Sequence, residues 1–216
     1  MRNVGLGQMR ASREGVLAVG LGVAVVLLFQ LYTPLNRGPS RWIPKTPLDD
    51  AIPLVTPMVV PYLSIYPFAL FTAFALWRTS ARLVNSALLA TVLTLLASYV
   101  VYLVAQTYVA RPSVEGTDIF STLLRTVYAS DQPYNAFPSL HVGLSTVLAI
   151  HWIWSGRRFR AWPAAWCGVI ACSTVFIHQH YLADLVGGLA VGSAASLLSR
   201  RILGPDQGGV ATSGGG

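Results

Sequence analysis

The chain has 216 residues, of which 54% are hydrophobic and only 11% charged, and its mean hydropathy is +0.56. Soluble domains carry about 25% charged residues, so these values exclude an ordinary soluble enzyme and point to a polytopic membrane protein. The net charge of +7 does not imply a nucleic-acid partner, because the basic residues sit at the ends of apolar runs, where topology signals belong.

Apolar runs at about residues 16–33, 55–77, 83–108, 139–155, 162–178 and 181–199 predict an all-α, six-span bundle forming one membrane domain over residues 1–204. The first run follows Arg2, Arg10 and Arg13 but is longer than a signal-peptide core. It leads into Thr33-Pro34-Leu35-Asn36, with no small-residue cleavage site, so an uncleaved span is expected. In the second run Pro53, Pro57, Pro61 and Pro67 interrupt the outer half, which predicts a bent or partly re-entrant start. Between the third and fourth runs, Asp118 can cap a short helix bearing Ile119, Leu123, Leu124, Val127 and Tyr128 on one side, the pattern of an interfacial helix. Gly188 and Gly192 in the last run are spaced for close helix packing. Residues 205–216 read as a flexible, Gly-rich tail.

With the N-terminus inside, ten Lys/Arg fall on inner segments and five on outer loops. This asymmetry predicts a multi-pass cell-membrane protein with both termini cytoplasmic. Cys167 and Cys172 lie within one apolar run and read as packing residues. Neither a Cys-x-x-Cys nor a His-Glu-x-x-His pattern occurs, so no metal and no cofactor are expected.

His141, in Phe137-Pro138-Ser139-Leu140-His141, and His180, in His180-Tyr181-Leu182-Ala183-Asp184, are 39 positions apart. Two crossings of about 15–20 residues and a turn fit that gap, so both histidines return to the same face, the outer one in this topology. His180 and Asp184 have the i, i+4 spacing that lets one helical face carry both. A carboxylate there accepts one ring N–H and leaves the other nitrogen free to attack, while His141 supplies a proton. His151, among Trp152 and Trp154 near the inner end of its span, reads as structural.

Together these residues resemble the type-2 phosphatidic-acid phosphatase superfamily, membrane relatives of the vanadium haloperoxidases. Its three motifs are Lys-x6-Arg-Pro, Pro-Ser-x-His and Ser-Arg-x5-His-x3-Asp. They are matched by Arg111-Pro112, by Pro138-Ser139-Leu140-His141, and by Ser173-Thr174 followed by His180 and Asp184, within about residues 45–198. The resemblance implies that His180 is a nucleophile forming a phosphohistidine, Asp184 orients it, and His141 is the acid–base group. It also implies that Arg111 binds phosphate oxygens and that Ser139, with the helix start behind it, helps neutralise the transferring group. Two motif cations are replaced, by Val104 and Thr174, and His178 and Arg125 are candidates to restore part of that charge. The wider pattern, with Pro47-Leu48-Asp49-Asp50 upstream, looks most like the inositol-phosphorylceramide synthase-like branch.

The implied activity is hydrolysis of a lipid phosphate or diphosphate. The alternative is transfer of a phospho-headgroup to an alcohol, for which Asp131 and Asn135 could help form an acceptor pocket. A non-catalytic lipid-binding or transport protein is the third reading, supported by the two lost cations.

Overall fold

The computed structural model describes residues 2–204, with side chains from residue 13 onward; the expected tail at 205–216 lies outside the described residues. Among these residues eight α-helices follow in order: α1 (Arg2–Leu35), α2 (Val59–Leu63), α3 (Ile65–Trp77), α4 (Ala81–Val104), α5 (Ile119–Ser130), α6 (Leu140–Trp154), α7 (Ala161–Phe176) and α8 (Leu182–Leu203). Among the described residues there are no strands, only isolated bridges such as Trp42 to Thr107. The all-α expectation holds.

Among the described residues four helical segments are long and apolar enough to cross a membrane: Arg13–Leu35, Thr56–Trp77, Ala81–Val104 and Leu182–Leu203. α6 and α7, at 15 and 16 residues, are apolar but shorter. A full crossing takes about 20 residues.

The proline-rich second run begins with a 3-10 turn over Thr56–Met58, passes through α2, and bends at Ser64 into α3. Pro67, lacking an N–H, cannot bond back to the Leu63 carbonyl, which is where the helix is interrupted. The Ser64 hydroxyl donates to the Pro61 carbonyl at 2.7 Å and accepts from the Trp166 indole at 3.1 Å, so the bend is tied to α7. The predicted bent start is thus present.

α6 and α8 pack closely because their facing surfaces carry glycine. A Cβ at Gly188 would lie 2.6 Å from the Ser139 carbonyl oxygen, and one at Gly192 would run into the Gly143 carbonyl. The backbone N–H of Ser139 donates to the Asp184 carbonyl at 3.1 Å, joining the starts of the two helices. Those starts define the site end of the bundle. The opposite, far end carries Arg157, Arg158 and Arg160 between α6 and α7.

α5 forms where the sequence places it. The Asp118 carboxylate accepts from the N–H groups of Phe120 (2.9 Å) and Ser121 (3.1 Å), satisfying two of the free donors of the first turn. Hydrogen bonds hold its carboxyl below the usual range, the Ser121 hydroxyl contributing most. The inner face of α5 carries Leu124 and Val127, packed with Val59, Tyr62 and Ile177, while Ile119 points outward.

Candidate functional site

The site is built from the N-terminal ends of α6 and α8, the C-terminal end of α5 and the turn between α7 and α8. α8 starts only at Leu182, so His180 is not on a helical face shared with Asp184, as the i, i+4 spacing suggested. It lies in the bend before the helix. Asp184 is the third helical residue, and its Oδ2 reaches back to accept the Tyr181 N–H at 2.8 Å. This capping geometry places a carboxylate at the positive end of the helix dipole. The same oxygen lies 3.4 Å from His180 Nδ1. Asp184 is fully buried, and His180 keeps a small exposed edge. The pairing survives, with a different local cause.

His141 is the second residue of α6. Its ring stacks on Tyr62, with centroids 4.0 Å apart and planes 14° from parallel, and meets the edge of Tyr66. These contacts hold the ring while its Nε2 has no hydrogen-bond partner. Ser139 is buried and caps α6, accepting the Val142 N–H at 3.3 Å. Its hydroxyl therefore serves the helix start, and the residue does not line the cavity described below.

The Arg111 guanidinium is clamped by the carbonyls that end α5. Nη1 donates to Tyr128 (3.2 Å) and Asp131 (2.5 Å), and Nη2 to Gln132 and to the Gln179 side-chain oxygen. The guanidinium also lies over the Tyr128 ring, 4.9 Å from its centroid. Carbonyls at a helix C-terminus carry partial negative charge, which is why a cation settles there.

His141, His180 and Arg111 line one cavity of about 620 Å³. It extends between α1 and α3, along α4 from Tyr102 to Val84, and is mostly walled by aliphatic and aromatic side chains. Those 18 helical steps correspond to about 27 Å, close to the thickness of a bilayer core. A smaller cavity of about 110 Å³ lies against His180 as well, lined by Lys45, Asp49, Asp50, His178 and Tyr181.

Of the two replacement cations suggested by sequence, His178 reaches this smaller cavity, in a left-handed conformation (φ 50°) with Nε2 3.2 Å from the Ile52 carbonyl oxygen. Arg125 reaches neither cavity. It braces the loop before α5, donating to the carbonyls of Val114 (3.1 Å) and Gly116 (2.8 Å). Val104 is 60% exposed at the end of α4, whereas Lys45 is the lysine beside His180, ion-paired with Asp50. The hydrogen bond to Asp50 raises the Lys45 ammonium above its usual value.

Sequence reasoning treated Lys45 only as a topology charge. Nothing in its local pattern brings it to His180; the long excursion from Asn36 to Val55 does. Gln179, Tyr62 and Tyr66 were missed as well. Gln179 adjoins a singled-out histidine, and that adjacency was the signal for it. Asp131 and Asn135, read as possible pocket members, do line the large cavity.

Fold and site together define an integral membrane protein that gathers histidine, carboxylate and guanidinium groups at one end of its bundle. Within that class the chain belongs to the PAP2 superfamily, whose family model matches residues 28–198. Membership places the chain in a superfamily of phosphatases and phosphotransferases, and its long apolar helices fit a membrane protein. No curated protein and no solved structure gives a significant match to the chain.

Proposed function

We propose that the protein is a membrane-embedded phosphoryl-transfer enzyme that dephosphorylates a lipid phosphate or diphosphate at the outer membrane face, through a phosphohistidine on His180. The observation that carries this reading is the single cavity in which His141, His180 and Arg111 stand at the head of a long apolar groove. A phosphate at that head and a lipid chain along the groove satisfy both parts at once. A diffusible sugar phosphate would leave the apolar walls unused.

His180 Nε2 attacks phosphorus while Asp184, beside Nδ1, stabilises the charge that develops on the ring. The P–O bond to the lipid breaks, and the departing oxygen takes a proton from His141. Neutral His141 then accepts a proton from water, whose oxygen displaces phosphate from His180 and restores both residues. Arg111, already oriented by four acceptors, neutralises phosphoryl oxygens, while Lys45, paired with Asp50, and His178 line the smaller cavity against His180. Ser139 acts by holding the start of α6, which carries His141. All of this runs on side chains alone, without a metal ion. α6 and α7, about 22–24 Å long, complete six crossings, with both termini cytoplasmic.

A phosphotransferase of the inositol-phosphorylceramide synthase-like branch is the second reading. What favours it is Asp131, a carboxylate in the wall of a cavity meant for an anion. Purified protein in detergent with a chelator should release phosphate from at least one member of a lipid-phosphate panel. Acid-labile phosphate should be trapped on wild type and not on His180→Ala. Turnover by His180→Ala would overturn the phosphohistidine, and a folded wild type inert to lipid phosphates and to labelled donors with alcohols would leave the non-catalytic reading.

A further inference from the structure

Asp131 is the only carboxylate lining the large cavity among the described residues. Beside a phosphate site it is a misfit, because phosphoryl oxygens want donors and a carboxylate repels them. Nor is it consumed by Arg111. Asp131 Oδ2 is 3.9 Å from Nη2, while the Nη1 and Nη2 donors are already directed to backbone carbonyls and Gln179. Asp131 is held instead from α1. Its Oδ1 accepts from Asn36 Nδ2 at 2.7 Å and from the Tyr32 hydroxyl at 3.1 Å. Oδ2 accepts no hydrogen bond from any described residue.

Two further groups in the same wall are unpartnered. Asn135 is 1% exposed and Gln179 is 3% exposed, and neither Asn135 Nδ2 nor Gln179 Nε2 has an acceptor. Asn135 is fixed by its left-handed backbone (φ 55°) and by Gln106, which donates to its Oδ1 at 2.8 Å. Gln179 is fixed by Arg111 and immediately precedes His180. The wall therefore offers one strong acceptor and two amide donors. Hydroxyl groups, each donor and acceptor at once, match that set, and a bare phosphate does not. Burial raises the Asp131 carboxyl above the ordinary range, against the opposing pull of Arg111. A carboxyl so placed gains from a hydroxyl donor.

We propose that Asp131 Oδ2, Asn135 Nδ2 and Gln179 Nε2 form a hydroxyl-binding subsite beside His180 that takes a polyol. This rests on the phosphoryl-transfer reading for its use but not for its existence. The polyol is either a free acceptor or the headgroup of the donor phospholipid. As a free acceptor, its oxygen forms a P–O bond while the P–N bond to His180 breaks. Its proton passes to His141, left neutral by the first half-reaction, and the bonding pair returns to His180 Nε2.

The test uses the full chain in detergent and two readouts. Saturation-transfer NMR with glycerol and sorbitol, in the presence of inorganic phosphate, measures binding without turnover. Saturable binding is expected in wild type and in His180→Ala, weakened at least about tenfold in Asp131→Asn and about threefold in Tyr32→Phe, which removes only the hydroxyl that steadies Oδ1. A lipid-phosphate donor with rising glycerol then gives the ratio of phosphorylated glycerol to free phosphate. A glycerol-dependent ratio that falls about tenfold in Asp131→Asn identifies a free acceptor. No transfer, but a preference for polyol-headgroup donors that disappears in Asp131→Asn, identifies the headgroup. Absence of saturable polyol binding in wild type overturns the subsite, as does binding unchanged in both Asp131→Asn and Tyr32→Phe. Failure of the phosphohistidine is read separately, by trapping on His180.

Discussion

The two ends of this bundle both bury histidine, and they treat it in opposite ways. At the far end His151 is completely buried and completely satisfied. Its Nδ1 is 2.8 Å from the Val147 carbonyl oxygen, its Nε2 is 3.0 Å from Ser86 Oγ, and Ser86 continues to Ser199 at 2.9 Å. At the site end His141 Nε2, Asp184 Oδ1, Arg111 Nε, Gln179 Nε2 and Asn135 Nδ2 are buried without a hydrogen-bond partner, and His180 Nδ1 has only the 3.4 Å approach of Asp184 Oδ2. Buried polar groups are normally paired, because an unmade hydrogen bond in an apolar interior costs about 1–3 kcal/mol. At the far end His151, Ser86 and Ser199 satisfy one another and Asn85 Oδ1 is left open, so it is the concentration of open groups that marks the site end as the one organised to bind something. Histidine burial alone would not have told the two apart.

The largest effect bearing on this contrast is at His180. His180→Ala should lower turnover of a lipid phosphate by about 10³-fold or more with little change in melting temperature. His151→Ala should do the reverse, costing roughly 2–4 kcal/mol by leaving Ser86 and Ser199 poorly paired, while the protein that remains folded keeps its kcat. Were His151→Ala to abolish turnover in folded protein, the far end could no longer be called structural.

Arg111→Lys separates geometry from charge at the open end. One ammonium cannot serve the carbonyls of Tyr128, Asp131 and Gln132 together with Gln179, so kcat/KM should fall about 10–100-fold even though the charge is kept. Arg125→Gln, which alters only a loop brace, should stay within about twofold. Equal losses in the two variants would return Arg125 to the site.

Gly192→Ala tests whether helix contact sets the site. The added methyl meets the Gly143 backbone, so α6 and α8 must separate, at a cost of about 1–3 kcal/mol in thermal or chemical unfolding. Activity should fall with it, since the Ser139–Asp184 backbone bond depends on that approach.

The smallest effect concerns Asp131. Burial raises its carboxyl pKa, so between the unfolded and folded values the folded state binds more protons, and stability falls as pH rises through that window. Asp131→Asn removes this dependence. Its melting temperature should exceed that of wild type by about 1–2 °C at neutral pH, and the gap should close as pH drops into the ordinary carboxylate range. A gap that widens on acidification would reverse the assigned direction.

Much of the site was legible in the amino-acid order, because its parts are local patterns. Ser139 ahead of an apolar helix, Asp118 ahead of another, and a carboxylate four residues after His180 all announce themselves within one or two turns of chain. The 39-residue separation of His141 and His180 placed both at one end by length alone. What local pattern misjudged was cause. The His180–Asp184 pair comes from a capping carboxylate reaching back to a residue outside the helix, and a four-residue spacing does not distinguish that from a shared helical face. Span lengths were also uneven. α6 and α7 are shorter than apolar composition implied, since hydropathy continues into the bends beyond their ends.

An apolar helical bundle with two histidines at one end follows from residue order alone, because periodicity, capping and charge placement act over a few residues. Which cations face His180 does not follow from it and is settled by packing. Lys45 arrives through a long excursion after α1, Arg111 is clamped by the end of α5, and Arg125 is turned to its own loop. Packing likewise steadies Asp131 from Tyr32 and Asn36, which lie 99 and 95 positions away in the chain. Such pairings depend on how helices far apart in sequence settle against one another, and no local pattern carries that information.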